Sequence, residues 1–155
     1  MKRFNLHSAT TELEGSEPPG FKSRGNRFGK EIGARLIGGT IYDLDPGEAI
    51  CPYHFEYGDE EWLIVLTGNP VVRTPDQETA LEPGDTVCFP PGPHGAHKVT
   101  NPPGAEGTSR VLMISTLNEP SVAVYPDSDK LGVFVGDYSL MVQRHSGVDY
   151  WQGES

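Results

Sequence analysis

Between residues 33 and 117 the chain alternates short β-like runs with Gly/Pro turns. The runs are 34-ARLIGGTIYDL-44, 49-AICPYHFE-56, 60-EEWLIVL-66, 71-VVRT-74, 78-ETAL-81, 86-TVCFP-90, 96-AHKVT-100 and 109-SRVLMISTL-117. Between them stand turn sequences such as 45-DPGE-48, 67-TGNP-70, 82-EPGD-85 and 91-PGPHG-95. About eight strands at this spacing predict an all-β antiparallel sandwich or barrel. Helical periodicity is nowhere sustained. The pentad 62-WLIVL-66 does not alternate, so it predicts a strand buried on both faces.

The flanks read differently. Residues 1–32 are polar and rich in Gly and Pro, with turn signals at 18-PPG-20 and 24-RGN-26, and predict an arm with little structure of its own. Residues 33–117 form the expected core. Residues 118–155 are less regular, with further strands conceivable at 121-SVAVY-125 and 131-LGVFV-135. A free tail would not be expected to expose Tyr150 and Trp151, so the extension is expected to pack on the barrel or on a partner subunit.

Composition changes this picture little. A chain of 155 residues can bury a core without staples. Charge changes it more. The net charge is −10, yet residues 1–35 hold seven Lys/Arg against four Glu, about +3. The other 120 residues carry five basic and eighteen acidic side chains. An acidic body excludes the basic footprint that nucleic acid needs and disfavours anionic membrane surfaces. No apolar run approaches a membrane span, and the N-terminus lacks the apolar segment of a secretory signal. Cys51 and Cys88 are too few for a disulfide framework and read as free thiols in a reducing cytoplasm. A zinc site built on Cys51 and His54 lacks a second Cys–His pair to complete it.

Two segments carry chemistry. The first runs Gly47-x6-His54-x-Glu56-x4-Glu61-x6-Gly68. Residues two apart on a strand share a side, so His54 and Glu56 face one way, and a hairpin after 57-YGD-59 would bring Glu60 or Glu61 beside them. Imidazole and carboxylate groups converging from adjacent strands suit a divalent cation, against the plainer alternative of a solvated acidic face. The second segment runs Gly84-x5-Pro90-x-Gly92-x4-His97-x3-Asn101 and presents one imidazole at the head of a strand.

Together, in this order, the segments resemble the two motifs of the cupin superfamily over residues 33–117. The matching spacings are Glu61-x6-Gly68, Gly84-x5-Pro90-x-Gly92 and His97-x3-Asn101. The resemblance implies a double-stranded β-helix, or jelly-roll barrel, holding one divalent metal. It carries His54, Glu61 and His97 over as ligands. Two departures stand out. Glu56 occupies the place of the second histidine of the family's first motif, and two extra residues separate Gly92 from His97. With Glu56 as a ligand the set is two histidines and two carboxylates, which favours manganese or iron over copper, with nickel or zinc possible. Glu60 is the alternative to Glu61. His94 is the alternative to His97 or a rim residue.

The function expected from these features is that of a small-molecule metalloenzyme of dioxygenase, isomerase or lyase type. The alternative is a non-catalytic cupin that binds or senses a small molecule. The resemblance further implies a homodimer.

Overall fold

The structure, a computed structural model, describes residues 1–13, 15 and 17–154. Its strands are β1 (Glu12–Leu13), β2 (Arg24–Asn26), β3 (Ile37–Leu44), β4 (Phe55–Glu56), β5 (Glu61–Thr67), β6 (Val71–Arg73), β7 (Glu78–Ala80), β8 (Thr86–Phe89), β9 (Lys98–Thr100), β10 (Ser109–Thr116), β11 (Ser121–Tyr125), β12 (Lys130–Val135) and β13 (Tyr138–Gln143). One short helix, α1 (Gly29–Ile32), precedes β3. The predicted all-β class holds, and every strand pair is antiparallel.

One layer of the jelly roll is a six-stranded sheet in the order β1-β2-β3-β10-β5-β8. The opposing layer consists of a four-stranded sheet, β13-β12-β11-β4, and a three-stranded sheet, β7-β6-β9. An isolated antiparallel bridge between His54, just before β4, and His97, just before β9, links these two sheets. Leu44, Leu63, Val65, Val72, Phe89, Val99, Val111 and Met113 fill the space between the layers.

The pentad 62–66 is indeed apolar on both faces, for two separate reasons. Leu63 and Val65 enter the barrel core. Ile64 and Leu66 face outward, where Phe4, Leu6, Ala9 and Phe28 of the N-terminal arm join Ile41 and Leu112 in a second cluster. Trp62 is the exception and is exposed.

That outer cluster explains why the arm is more ordered than its polar composition predicts. An uncovered apolar sheet face is costly in water, and covering it gives residues 1–32 a place to fold. β2 pairs with β3, Phe4 stacks on Phe28 with ring centroids 4.3 Å apart, and Phe28 lies against Gly39. A Cβ at Gly39 would stand 2.8 Å from the Phe28 ring, so only glycine admits this approach. Arg110 donates to Asp43 and to the carbonyls of Leu6 and His7, tying arm to barrel.

Two other expectations need adjusting. The run 49–56 yields only the two residues of β4, because Pro52 cannot donate to a ladder and residues 50–53 form bends. Conversely, β13 forms in a stretch that showed no regular pattern. It is the second arm of a hairpin turning at Gly136, whose positive φ of 55° suits glycine. No helix among the described residues is long and apolar enough to cross a membrane.

Candidate metal centre

The His54–His97 bridge is closed in both directions. His54 N donates to His97 O at 3.1 Å and His97 N donates to His54 O at 2.8 Å. Directly paired residues point to one face of a sheet, so both imidazoles enter the barrel. Their centroids lie 4.8 Å apart. From the facing sheet Glu61 opens β5 and turns inward. Its Oε2 stands 3.7 Å from His54 Nε2 and 3.5 Å from His97 Nε2. The three ligand atoms lie within 4.8 Å of one another.

Backbone carbonyls fix which nitrogens are free. His54 Nδ1 faces Pro52 O at 3.0 Å, and His97 Nδ1 faces Gly95 O at 2.9 Å. A carbonyl can only accept, so each Nδ1 carries the proton and each Nε2 presents a lone pair to the barrel interior. His97 is also held by Phe89, whose ring lies parallel to the imidazole at 3.7 Å. The His97 Nε2 atom is buried and has no hydrogen-bond partner. Native proteins rarely leave such an atom unmatched. Ligands about 2.1 Å from one ion stand about 3.0–3.4 Å apart, so small side-chain shifts close this triad on a metal. The residues present therefore fit a divalent ion.

The motif glycines and Asn101 serve the frame. Gly92 precedes the short turn Pro93–Gly95, and a Cβ at Gly95, its last residue, would collide with the Pro90 carbonyl. Asn101, fully buried, donates to Leu44 O at 2.9 Å and Gly107 O at 2.8 Å, and accepts from Ser109 Oγ at 3.0 Å.

The Cupin domain family matches residues 40–115, a span that contains the whole triad. The chain belongs to the cupin superfamily. Among solved cupin-fold structures, a candidate sugar phosphate isomerase from Acidithiobacillus ferrooxidans is 25% identical, with a TM-score of 0.77 over 84% of this chain and 82% of that one. A cupin-superfamily sugar phosphate isomerase from Silicibacter pomeroyi superposes with a TM-score of 0.80 over 96% of this chain and 98% of that one, at 20% identity. The polyketide cyclase RemF from Streptomyces resistomycificus gives a TM-score of 0.62 at 24% identity, over 78% and 83%. At such identities the last two show the fold alone. No curated protein matches the sequence.

Other residues weighed from the sequence separate clearly in this cupin. Glu60 points outward and accepts from Trp62 Nε1 at 2.8 Å. His94 is exposed on the 93–95 turn. Glu56 shares the barrel side of His54 but stands outside the three-residue group. Burial, the nearby Asp59 charge and a hydrogen bond with Asp59 push its carboxyl up to about 7. The Glu61 carboxyl is pushed up to about 8, first by burial and then by Glu56 and Asp59. Burial lowers both histidines, and His97 falls to about 3 with help from the His54 charge. The Glu61–histidine approaches are thus no ion pairs in the metal-free protein. Imidazoles kept neutral and a carboxyl ready to ionise under a dication form a donor set that could hold a metal ion.

Several contributors were given no role from the sequence. Tyr125 of β11 stacks beside His54 with centroids 5.8 Å apart, and burial pushes its hydroxyl up to about 12. Cys51 Sγ lies 3.5 Å from His54 Nδ1, and burial pushes its thiol up to about 12, which makes it inert. Cys51 and Cys88 are both free. A cavity of about 600 Å³ opens over the triad, and the arm supplies much of its wall through Glu17, Phe21, Ser23, Arg27 and Lys30. Glu17 Oε2 is buried there without a partner. Only long-range pairing brings these groups together, and a single-sequence pattern does not encode it.

Proposed function

We propose that His54, Glu61 and His97 bind one divalent metal ion and that this cupin is a small-molecule metalloenzyme working by proton transfer, as an isomerase or lyase does. The observation that carries this reading is the buried, unpartnered Nε2 of His97, aimed at Glu61 beneath an open cavity. Two imidazoles and one carboxylate with open positions favour iron or manganese, while nickel or zinc suits the same donors less specifically. A bound ion would supply Lewis acidity to a substrate oxygen.

We assign Glu56 to the neighbourhood of the metal rather than to its ligand shell. Its carboxyl is engaged with Asp59 and titrates near neutrality, which suits a group that gives and takes a proton. Glu17 Oε2, at the cavity wall, calls for a hydrogen-bond donor. The substrate this describes is a small oxygenated molecule that meets the metal through one oxygen and Glu17 through a hydroxyl or amino group. Arg27 and Lys30 add positive charge to the same wall, so the acidic body does not by itself bar an anionic substrate. The similarity to the Acidithiobacillus protein supports the isomerase direction.

Elemental analysis of protein purified without a histidine tag tests the centre. One equivalent of metal is expected in the parent and none in a His54→Ala/His97→Ala double variant. Sub-stoichiometric metal in the parent, or full metal in the variant, would sink it. Oxygen uptake by the loaded protein against small catechols, thiols and keto acids would move the reading from proton transfer to a dioxygenase.

A further inference from the structure

Glu61 begins a row of inward positions that crosses three adjacent strands. It pairs with Ser115 of β10, and Ser115 pairs with Gly38 of β3. Directly paired residues share a face of the sheet, so Ser115 and Gly38 stand on the same side as Glu61. All three line the cavity. The next inward row is Leu63, Met113 and Thr40, of which Leu63 and Met113 belong to the barrel core. One step along the ladder, large side chains thus give way to a hydroxymethyl and a hydrogen. This leaves a trough from Glu61 to β3, two inter-strand spacings or about 9–10 Å long. Gly38 has no positive φ that would require glycine. A Cβ there would meet Leu117 Cδ2 at 3.1 Å and otherwise stand 3.7 Å or more from its neighbours. What glycine supplies at this position is room.

The walls over that floor are apolar. Phe21 of the arm, Ile37, Ile50, Val99, Met113 and Leu117 all line the cavity. Ile37 and Leu117 are also 52% and 48% exposed, so the apolar wall continues to the mouth. Ser115 Oγ, the polar group on the floor, already donates to Thr116 O at 2.8 Å.

We propose that the substrate is amphipathic, with an oxygenated head the size of a keto or hydroxy acid at the metal and an apolar body of about one ring. That body lies over Ser115 and Gly38 and reaches Phe21, Ile37 and Leu117. The proposal rests on the metal reading above and narrows its substrate. A cavity of about 600 Å³ falls within the range of small-molecule pockets, about 300–1,000 Å³. A sugar phosphate suits this space poorly, because it carries a hydroxyl on nearly every carbon. Each hydroxyl laid against Ile50, Val99, Met113 or Leu117 would lose water without gaining a partner. A ring laid against the same side chains gains in proportion to the apolar area it buries.

The test is calorimetric titration of the full chain, supplied with one equivalent of Mn²⁺, with pyruvate, phenylpyruvate and D-ribose 5-phosphate. The two keto acids share one head and differ by a ring. Phenylpyruvate is expected to bind about 10-fold or more tightly than either of the others. Gly38→Val fills the trough and should bring phenylpyruvate down to the affinity of pyruvate, while the chain still holds its manganese. Phe21→Ala removes wall without filling space and should weaken phenylpyruvate but not pyruvate. Equal affinities for the two keto acids overturn the proposal. So does no binding of phenylpyruvate, tighter binding of ribose 5-phosphate, or a preference for the ring that survives both variants. The metal reading fails separately. A chain that holds no manganese yet prefers phenylpyruvate keeps the apolar trough and loses the metal, whereas one that holds manganese and binds both keto acids alike keeps the metal and loses the trough.

Discussion

His54 and His97 donate backbone hydrogen bonds to each other, at 3.1 and 2.8 Å, although 43 positions separate them in the chain. This reciprocal pair does two jobs. It joins the smaller sheets into one layer, and it points both imidazoles at Glu61. The first prediction follows from that division of labour. The pairing uses only main-chain atoms, so His54→Ala keeps the fold but loses the ligand. Its metal affinity should fall by about 100-fold or more, beyond the usual effect of outer-shell partners. Competitive chelator titration reads the loss, and unchanged far-UV circular dichroism confirms the fold.

Protonation of the metal-free centre gives a second prediction. Glu61 ionises near 8 in the folded chain against an ordinary 4.5, so the folded state holds a proton that the unfolded state has released. Stability therefore falls as pH rises through that window. His97 stays neutral down to about 3 against an ordinary 6.5, so the folded state takes up fewer protons below 6.5, and stability falls again toward acid. Chelator-treated protein should thus melt highest in weak acid, between these two limbs. Metal loading should remove the Glu61 part of the alkaline limb, because the cation holds Glu61 ionised, and leave the part due to Glu56, which ends near 7. Calorimetric scans from pH 4 to 9 with and without Mn²⁺ measure it. An alkaline decline that continues from pH 7 to 8 at saturating metal, above the Glu56 window, would contradict the assignment.

The sequence showed some parts of this molecule and hid others for physical reasons. Short β-like runs between Pro-Gly turns located most barrel strands, and the paired motifs located His54, Glu61 and His97, which meet in space. The arm was opaque because its role is to cover Ile64, Leu66 and Ile114, a tertiary demand that leaves no periodic signal in a polar, Gly-rich stretch. Glu56 was ambiguous because its environment depends on Asp59. That residue is buried and accepts from Thr116 Oγ1 and Asn118 N, groups more than fifty positions away. Tyr125 was invisible for the same reason.

The Asp43–Arg110 pair yields a third prediction. Arg110 donates from Nε and Nη2 to the two carboxylate oxygens at 2.7 Å each, and its Nη1 reaches His7 O at 2.7 Å. Thr11 Oγ1 also donates to Asp43. Arg110→Ala removes this clamp and leaves Asp43 half-satisfied at a partly buried position. A loss of about 1.5–3 kcal/mol is expected, typical of charge-assisted hydrogen bonds. Amide exchange should accelerate in residues 4–13 before it does in β5. The Asp43 carboxyl is held below its ordinary range by its partners, against burial acting the other way. Its contribution is therefore present above the ordinary carboxylate range and is lost as pH falls through the lowered value.

The last prediction concerns a residue that touches no metal. Gly95 packs so closely on the Pro90 carbonyl that a Cβ has no room, and its own carbonyl accepts from His97 Nδ1 at 2.9 Å. Gly95→Ala must push the 93–95 turn away from Pro90 and carry that carbonyl with it. His97 then loses the bond that fixes its tautomer and aims its Nε2, while every ligand remains in the chain. Metal affinity should drop by about 10–100-fold, the scale seen when an outer-shell partner of a ligating histidine is lost. The effect differs from simple destabilisation in the tautomer of His97. With the Nδ1–H bond gone, the imidazole is no longer held in the Nδ1–H tautomer, and its ¹⁵N shifts in the metal-free protein should move toward those of a mixture with the Nε2–H form. Unchanged nitrogen shifts alongside weakened binding would assign the glycine to packing alone.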